Sequence, residues 1–551
     1  MGSLLILFKI VKVKYHIILI LFCAVFLNHI MAQKKNLNLI ASATPEATEA
    51  GTLIFNKDGN AVDAAVAIAF TLGVTEPAMP GIGGRTMLIL SIPNQEPVAI
   101  GGISLTPSKR DIDLKKKGLT FYKQVSIPSQ VKILNCVWKK YGSGNLEWKE
   151  LLQPAIHYSE NGFVNGLHRQ YGFKIDQQEL KDNCYHNREL LIDNGILAIG
   201  DLVKQPTLAK TLTRLSIYRA DDFYEGEIAK EIAEDFKSNN GWISDEDLSN
   251  FPEHKELKAL HVNYSGYHVY SFTPPGGEWQ VLQALNLFEQ YDTKKIKPNT
   301  LESTMAVLNV LNISHKDRLD NAIKNYNNFQ LEIAQKISKK YAKTLYSNAN
   351  EISKIDASIK ENEAGETTHF SVVDKKGIAV SVTSSIGSYF GSKTSTKNVG
   401  FFYNSYLKSL VGFGFGKSVK PKTIIPSSMS PSLVRKSGKN ALVIGTLGSK
   451  RIVSTISQLI QLWIDSDIDI KDIIKQPQVH AIGDLATIED ESLTSNELQK
   501  IGDKGFKIAF PSYNLTNKSG LNVYFGGNHA IEFKNGEWTA AADPRRDSST
   551  N

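Results

Sequence analysis

Apolar positions along the chain fall into helical and extended periods that change several times. Residues 44–55 carry apolar side chains at helical spacing, with Thr44 placed as a cap, Pro45 in the first turn and Gly59 to end the helix. Residues 61–72 are alanine-rich and apolar on nearly every face, which predicts a helix of the core rather than of the surface. A buried strand follows over 86–92. Helical patterns recur at 208–216, 228–238, 279–290, after a Pro-Pro-Gly-Gly loop at 274–278, and 454–464. The stretch 326–366 is rich in Lys, Asn and Glu and loses its large apolar residues after Tyr346, which predicts an exposed, mobile loop. At Thr368 the period becomes two. Residues 369–373 and 378–383 flank Asp374-Lys375-Lys376-Gly377 and predict a hairpin with Thr367 at its exposed start. Short strands are expected at 521–525 and 530–533. No internal repeat or low-complexity tract is evident.

The first 32 residues read as a secretory signal: Lys9, Lys12 and Lys14 precede the apolar run 17–27, and Ala32 offers a cleavage position. That run is short for a membrane span, although a retained anchor is the alternative on length alone. The residues before Cys23 lack the small side chain a lipidation site needs. The signal carries three lysines and no acid, so the formal charge of +7 falls to +4 without it, too little and too mixed with acids for nucleic acid binding. At 551 residues, 42% hydrophobic and 22% charged, the chain can bury a sizeable core. Cys136 and Cys184 are then the remaining cysteines. They could pair in an oxidising compartment or stay as two buried thiols. The scattered histidines give no metal-ligand spacing, so no metal is expected.

Thr367 carries the sharpest chemical possibility. A threonine hydroxyl is a weak nucleophile, but cleavage between Glu366 and Thr367 would free an α-amino group within reach of that hydroxyl and able to act as its base. By itself, Thr367-Thr368-His369 equally suits the opening of a strand.

Separated segments resemble the γ-glutamyltranspeptidase family from about Ile40 to Arg545: Asp58-Gly59-Asn60-Ala61-Val62-Asp63-Ala64-Ala65-Val66, Gly81-Ile82-Gly83-Gly84, Trp242-Ile243-Ser244-Asp245-Glu246-Asp247-Leu248, Tyr264-Ser265-Gly266-Tyr267, Pro274-Pro275-Gly276-Gly277, Thr367 to Asp374, Pro426-Ser427-Ser428-Met429-Ser430-Pro431, Gly445-Thr446-Leu447-Gly448-Ser449-Lys450-Arg451 and Ala542-Asp543-Pro544-Arg545, in the family's order. The resemblance implies a mixed α/β (α+β) fold, a four-layer αββα sandwich of the N-terminal nucleophile hydrolase type. It also implies a precursor cut at Glu366–Thr367 into a large part, 33–366, and a small catalytic part, 367–551. Thr367 would be the nucleophile and Ser385 its hydroxyl partner, in place of a threonine. The backbone N–H groups of Gly448 and Ser449 would form the oxyanion hole, and Ser427, Ser428 and Asn404 would line the substrate site. No cofactor is implied.

The same resemblance exposes departures. The arginine that grips the glutamyl α-carboxylate in the family falls at Ile103. An asparagine becomes Gly387, a glutamine Tyr406 and the aspartate for the α-amino group Ser409. Lys109, Arg110, Lys393 or Lys417 could supply a substitute cation. The tract 409–427 is short and glycine-rich, which implies an open, more apolar acyl pocket. The reading is therefore an exported, periplasmic or extracellular, self-processing amidohydrolase or acyltransferase acting on a γ-glutamyl or related amide. The alternatives are an acylase of a non-glutamyl amide and a non-catalytic binding protein that keeps the fold. The expected partners are a small amide or peptide substrate and the two parts of the same precursor, with no nucleic acid and no stable membrane span.

Overall fold

The computed structural model describes residues 38–108, 112–113, 119, 121–183, 190, 197–274, 276–321, 323, 329–349, 352–354, 366–410, 418–489, 493–511, 516 and 520–551. Two antiparallel sheets carry the molecule. The first contains β1 (Leu39–Ser42), β2 (Arg85–Ser91), β3 (Val98–Gly101), β4 (Leu257–Lys258), β7 (Glu366–Val373), β8 (Ala379–Gly387) and β13 (Ser549–Thr550), in the order β13-β1-β7-β8-β2-β3-β4. The second contains β5 (Leu260–Tyr264), β6 (Tyr267–Ser271), β9 (Ser432–Lys436), β10 (Lys439–Gly445), β11 (His529–Lys534) and β12 (Glu537–Ala542), in the order β12-β11-β10-β9-β6-β5.

Strand alternation assigns the layers. Along β7, Phe370 and Val372 face helices α1 (Pro45–Asn56), α2 (Ala61–Thr75), α3 (Trp148–Asn161) and α4 (Pro206–Tyr224) in one hydrophobic cluster. Val373 faces the second cluster, which fills the space between the sheets and continues to helices α5 (Glu278–Phe288), α6 (Leu301–Asp320) and α7 (Arg451–Asp465). The layers therefore run helix, sheet, sheet, helix, as expected.

The predicted helix beginning after Thr44 is present, and the Thr44 hydroxyl accepts from the Ala47 N–H at 3.3 Å. Helix α2 is buried along almost its whole length and starts from a reciprocal cap between Asn60 and Asp63. Two expectations need correction. Residues 326–366 are not one loop, since Gln330–Lys336 and Lys339–Asn348 are helices, Ser338 capping the second by accepting from the Tyr341 N–H at 3.2 Å. Residues 521–525 are not a strand. Val523, Tyr524 and Phe525 are buried in a turn whose carbonyls are taken by an arginine: Arg546 donates to Val523 O at 3.0 Å and to Gly526 O at 2.9 Å. A buried apolar run has the same pattern whether a sheet or an arginine satisfies its backbone. Among the described residues no helix is long and apolar enough to cross a membrane. The signal region, Cys184, Lys109, Arg110 and Lys417 lie outside the described residues.

Candidate active site

Strands β7 and β8 form the predicted hairpin in the middle of the first sheet. Asp374 fixes its turn: one carboxylate oxygen accepts from the Lys376 and Ile378 N–H groups at 2.9 and 3.0 Å, the other from the Ala61 N–H at 3.1 Å. One acid thus ties the turn to the start of α2. Pairing stays in register from Val373 to Thr368 and then breaks, so that Thr367 stands opposite two residues, Ser385 and Ile386. Such a bulge turns backbone groups out of the ladder.

At the break the Ser385 hydroxyl donates to the Glu366 carbonyl at 2.6 Å and accepts from the Gly387 N–H at 2.8 Å. Glu366 and Thr367 are consecutive residues of one strand, and the Ser385 hydroxyl rests on the carbonyl of the peptide that joins them. Thr367 is buried, with 3% of its surface exposed. His369, two residues on, is no base for it. Its ring nitrogens meet the hydroxyls of Thr383 at 2.9 Å and Ser371 at 3.1 Å, and complete burial holds its pKa well below the usual histidine range. Ser384, the residue before Ser385, has its hydroxyl 2.8 Å from that of Thr86.

Gly448 has φ of +107° and Ser449 φ of +56°. The turn they make opens helix α7, where N–H groups lack helical partners and the helix dipole favours negative charge. A residue with a side chain at φ +56° pays roughly 1–2 kcal/mol. The Arg451 N–H donates to Gly448 O at 3.0 Å, and its guanidinium reaches the Glu366 carboxylate at 3.5 Å, so the turn and Glu366 meet through one residue. Sequence reasoning quoted Arg451 in a motif but gave it no role.

The remaining predicted residues divide. The Ser427 hydroxyl accepts from the Met429 N–H at 3.1 Å, whereas the buried Ser428 hydroxyl has no partner among the described residues, and both serines pack against Gly277. An unpaired buried hydroxyl is a natural ligand contact. Asn404 has no exposed surface. Its amide donates to Gly83 O at 2.8 Å and Ser126 O at 2.9 Å and accepts from the Ser126 N–H and hydroxyl, so it staples the wall and has nothing left for a ligand.

The four departures have structural content. Gly387 has φ of +98°, and a Cβ there would lie 2.5 Å from the Ser405 hydroxyl oxygen, so an asparagine would be strained on this backbone and would displace that hydroxyl. The Tyr406 hydroxyl donates to Ser385 O and accepts from the Arg85 N–H at 3.1 Å. Burial raises its pKa to about 12, so it stays protonated. The Arg85 guanidinium stacks on that ring at 4.3 Å and donates to Ile425 O and Pro426 O at 2.7 and 2.9 Å, which fixes the approach to Ser427. Arg85 and Tyr406 were missed as supports. The only signal was a charged residue opening an apolar strand. Ser409 donates to Tyr406 O at 2.7 Å, and Ile103 packs on the first cluster. Lys393 is paired with Asp176 at 3.1 Å and with Glu179, which leaves it poorly placed as a substitute cation.

Beside strand β7, Glu76 is fully buried. Desolvation raises its pKa to about 7, while the Thr368 hydroxyl and the charges of Arg546 and Arg169 pull it back.

A family model described as Gamma-glutamyltranspeptidase matches residues 47–551. The chain is 29% identical over 540 residues to the glutathione hydrolase proenzyme of Escherichia coli K12, covering 92% of this chain and 90% of that protein. It is 27% identical over 517 residues to the capsule biosynthesis protein CapD proenzyme of Bacillus anthracis, covering 92% and 89%. Among solved structures, cephalosporin acylase from Bacillus halodurans superposes with a TM-score of 0.81 at 19% identity over 94% of this chain and 96% of that one, a likeness of fold. The γ-glutamyltranspeptidase of Helicobacter pylori gives 0.52 at 27% identity, covering 58% and 93%.

Proposed function

The chain belongs to the γ-glutamyltranspeptidase family of self-processing amidohydrolases and acyltransferases, and from that premise we propose that Thr367 is its nucleophile, made by cleavage of the Glu366–Thr367 bond. The observation that carries this reading is the 2.6 Å hydrogen bond from the Ser385 hydroxyl to the Glu366 carbonyl.

The Thr367 hydroxyl attacks the Glu366 carbonyl carbon as Ser385 stabilises the charge developing on the oxygen. The carbon–nitrogen bond breaks and the nitrogen takes the proton, leaving an ester between Glu366 and the Thr367 oxygen. Water hydrolyses the ester. The products are a carboxylate ending 33–366 and a free amine and hydroxyl at the start of 367–551. In turnover the amine accepts the hydroxyl proton, and the oxygen attacks the substrate amide. The N–H groups of Gly448 and Ser449 hold the oxyanion, and the amine passes its proton to the leaving group. Water or a second amine then takes the acyl group.

The acyl group in this reading is not a free glutamyl amino acid. The family's asparagine at Gly387 would be strained and would displace the Ser405 hydroxyl, Tyr406 is committed to Ser385 and Arg85, and Ser409 is turned into its own helix. Burying a carboxylate and an ammonium without partners costs several kcal/mol each, which favours an uncharged or singly charged acyl group. Export by the residue 1–32 signal completes the proposal.

The test is a denaturing gel with N-terminal sequencing. Two fragments are expected, the smaller beginning Thr-Thr-His-Phe, while Thr367→Ala stays full length and inactive. A fully active, uncut wild type refutes the mechanism.

A further inference from the structure

Glu366 is the residue whose carbonyl is attacked, and its own side chain is wholly buried. Its carboxylate lies between two buried guanidiniums, 3.5 Å from Arg451 Nη2 and 3.8 Å from Arg546 Nη2. Nothing in the acyl-transfer chemistry above calls for an acid at this position. A carboxylate held by two arginines in the core is costly to assemble and is kept where its placement matters.

Each arginine is itself anchored. The Arg451 guanidinium stacks on Tyr524 at 4.1 Å and lies 3.0 Å from where a Gly448 Cβ would sit, while its N–H holds Gly448 O. Arg546 donates from Nε to Gly526 O and from Nη2, the nitrogen nearest Glu366, to Val523 O, in the turn that carries Tyr524. These two side chains therefore form a rigid seat, one wall of which is the oxyanion turn. Residue 366 is fixed at three points: its carbonyl at Ser385, its ladder pairing at Gly387 and its carboxylate at this seat. Without the third, rotation about the Glu366 backbone would swing the carbonyl carbon away from the Thr367 hydroxyl. Errors of an ångström at such a point cost about 100-fold in rate.

We infer that Arg451 and Arg546 are positioning residues for self-cleavage, acting through the Glu366 carboxylate to hold the scissile peptide against Thr367 and Ser385. The inference rests on the proposed cleavage at Glu366–Thr367. It concerns the first, intramolecular acyl transfer and not the choice of substrate.

The test follows the rate of conversion of purified precursor to fragments for wild type, Glu366→Gln and Glu366→Asp, with near-UV circular dichroism of each precursor, made uncut in a Thr367→Ala background, as the measure of folding. Glu366→Gln keeps the size and removes the charge and should slow cleavage about tenfold or more with the native dichroism kept. Glu366→Asp keeps the charge on a shorter arm and should fall between the two. Cleavage of the Gln variant at the wild-type rate, or Gln and Asp equally slow with native dichroism, overturns the inference. Should the Gln precursor lose its native signal, the Asp precursor decides, and a wild-type rate there overturns it. If wild type itself is never cut at Glu366–Thr367, the proposed function fails first, so the two failures are distinguishable.

Discussion

The wall of the site that would perform chemistry and the wall that would recognise an amino acid differ in what their residues are free to do. On the first, the Ser385 hydroxyl bonds the Glu366 carbonyl, and Arg451 joins the Glu366 carboxylate to the turn of Gly448 and Ser449. On the second, Gly387, Tyr406 and Ser409 are locked into contacts that leave no charge for a zwitterion. Tyr406 shows how the two are linked. This tyrosine, which the resemblance sets against a recognition glutamine, braces the backbone of Ser385, so one side chain joins the two walls.

The strongest way to break this comparison is Ser385→Ala. If the chemical wall works as described, removing one oxyanion donor should slow self-cleavage by about 10²–10³, read on the same gel. Cleavage within threefold of wild type would empty that wall of its defining contact.

A second probe addresses the buried acid beside strand β7. Glu76 has its folded pKa raised from 4.5 to about 7, so the stability it contributes is complete below pH 4.5 and is lost as pH rises towards 7. Relative to Glu76→Gln, wild type should lose about 3 kcal/mol across that window. Denaturant unfolding of Thr367→Ala precursors at pH 4.5 and 8 measures it. Parallel pH dependence for the two would show that Glu76 is not buried in its neutral form.

The recognition wall is tested with anilides. The kcat/KM for γ-glutamyl-p-nitroanilide should lie about 100-fold below that for some neutral or singly charged acyl anilide, the equivalent of about 3 kcal/mol of missing clamp. Efficient glutathione hydrolysis, matching every other amide, would mean the clamp is rebuilt elsewhere and the two walls are equally intact. The smallest effect is at Ser449. Ser449→Gly relieves a left-handed backbone at the price of a looser unfolded chain and should stabilise by about 0.5 kcal/mol with turnover kept, because the donor is backbone. A tenfold loss of turnover would assign the serine hydroxyl a part in the reaction.

How much of this was readable follows from the range of the interactions. The hairpin was legible because alternation and the Asp-Lys-Lys-Gly turn are local. Helix α2 was legible because an alanine-rich run apolar on all sides has nowhere else to go. Thr367 as a candidate nucleophile was legible only through resemblance, since two threonines before a histidine open many strands. The bulge at Ser385 and Ile386, the Arg85–Tyr406 stack and the seat formed by Arg451 and Arg546 each join residues tens to hundreds of positions apart, and no periodicity encodes them. The misread turn at 521–525 belongs to the same class, because Arg546 from the chain end satisfies its backbone.

The strand order of the first sheet has a consequence for assembly. Reading across it, β13, β7 and β8 come from the segment after Thr367, while β1, β2, β3 and β4 come from the segment before it, and β1 lies between β13 and β7. A cut at Glu366–Thr367 therefore yields two polypeptides that are interleaved rather than docked. Neither has a complete sheet to fold around by itself, and neither had to find the other by diffusion, because the ladder formed while they were one chain. Such a pair has no meaningful dissociation constant under native conditions. Halves from two differently tagged preparations, mixed after maturation, should not exchange without unfolding.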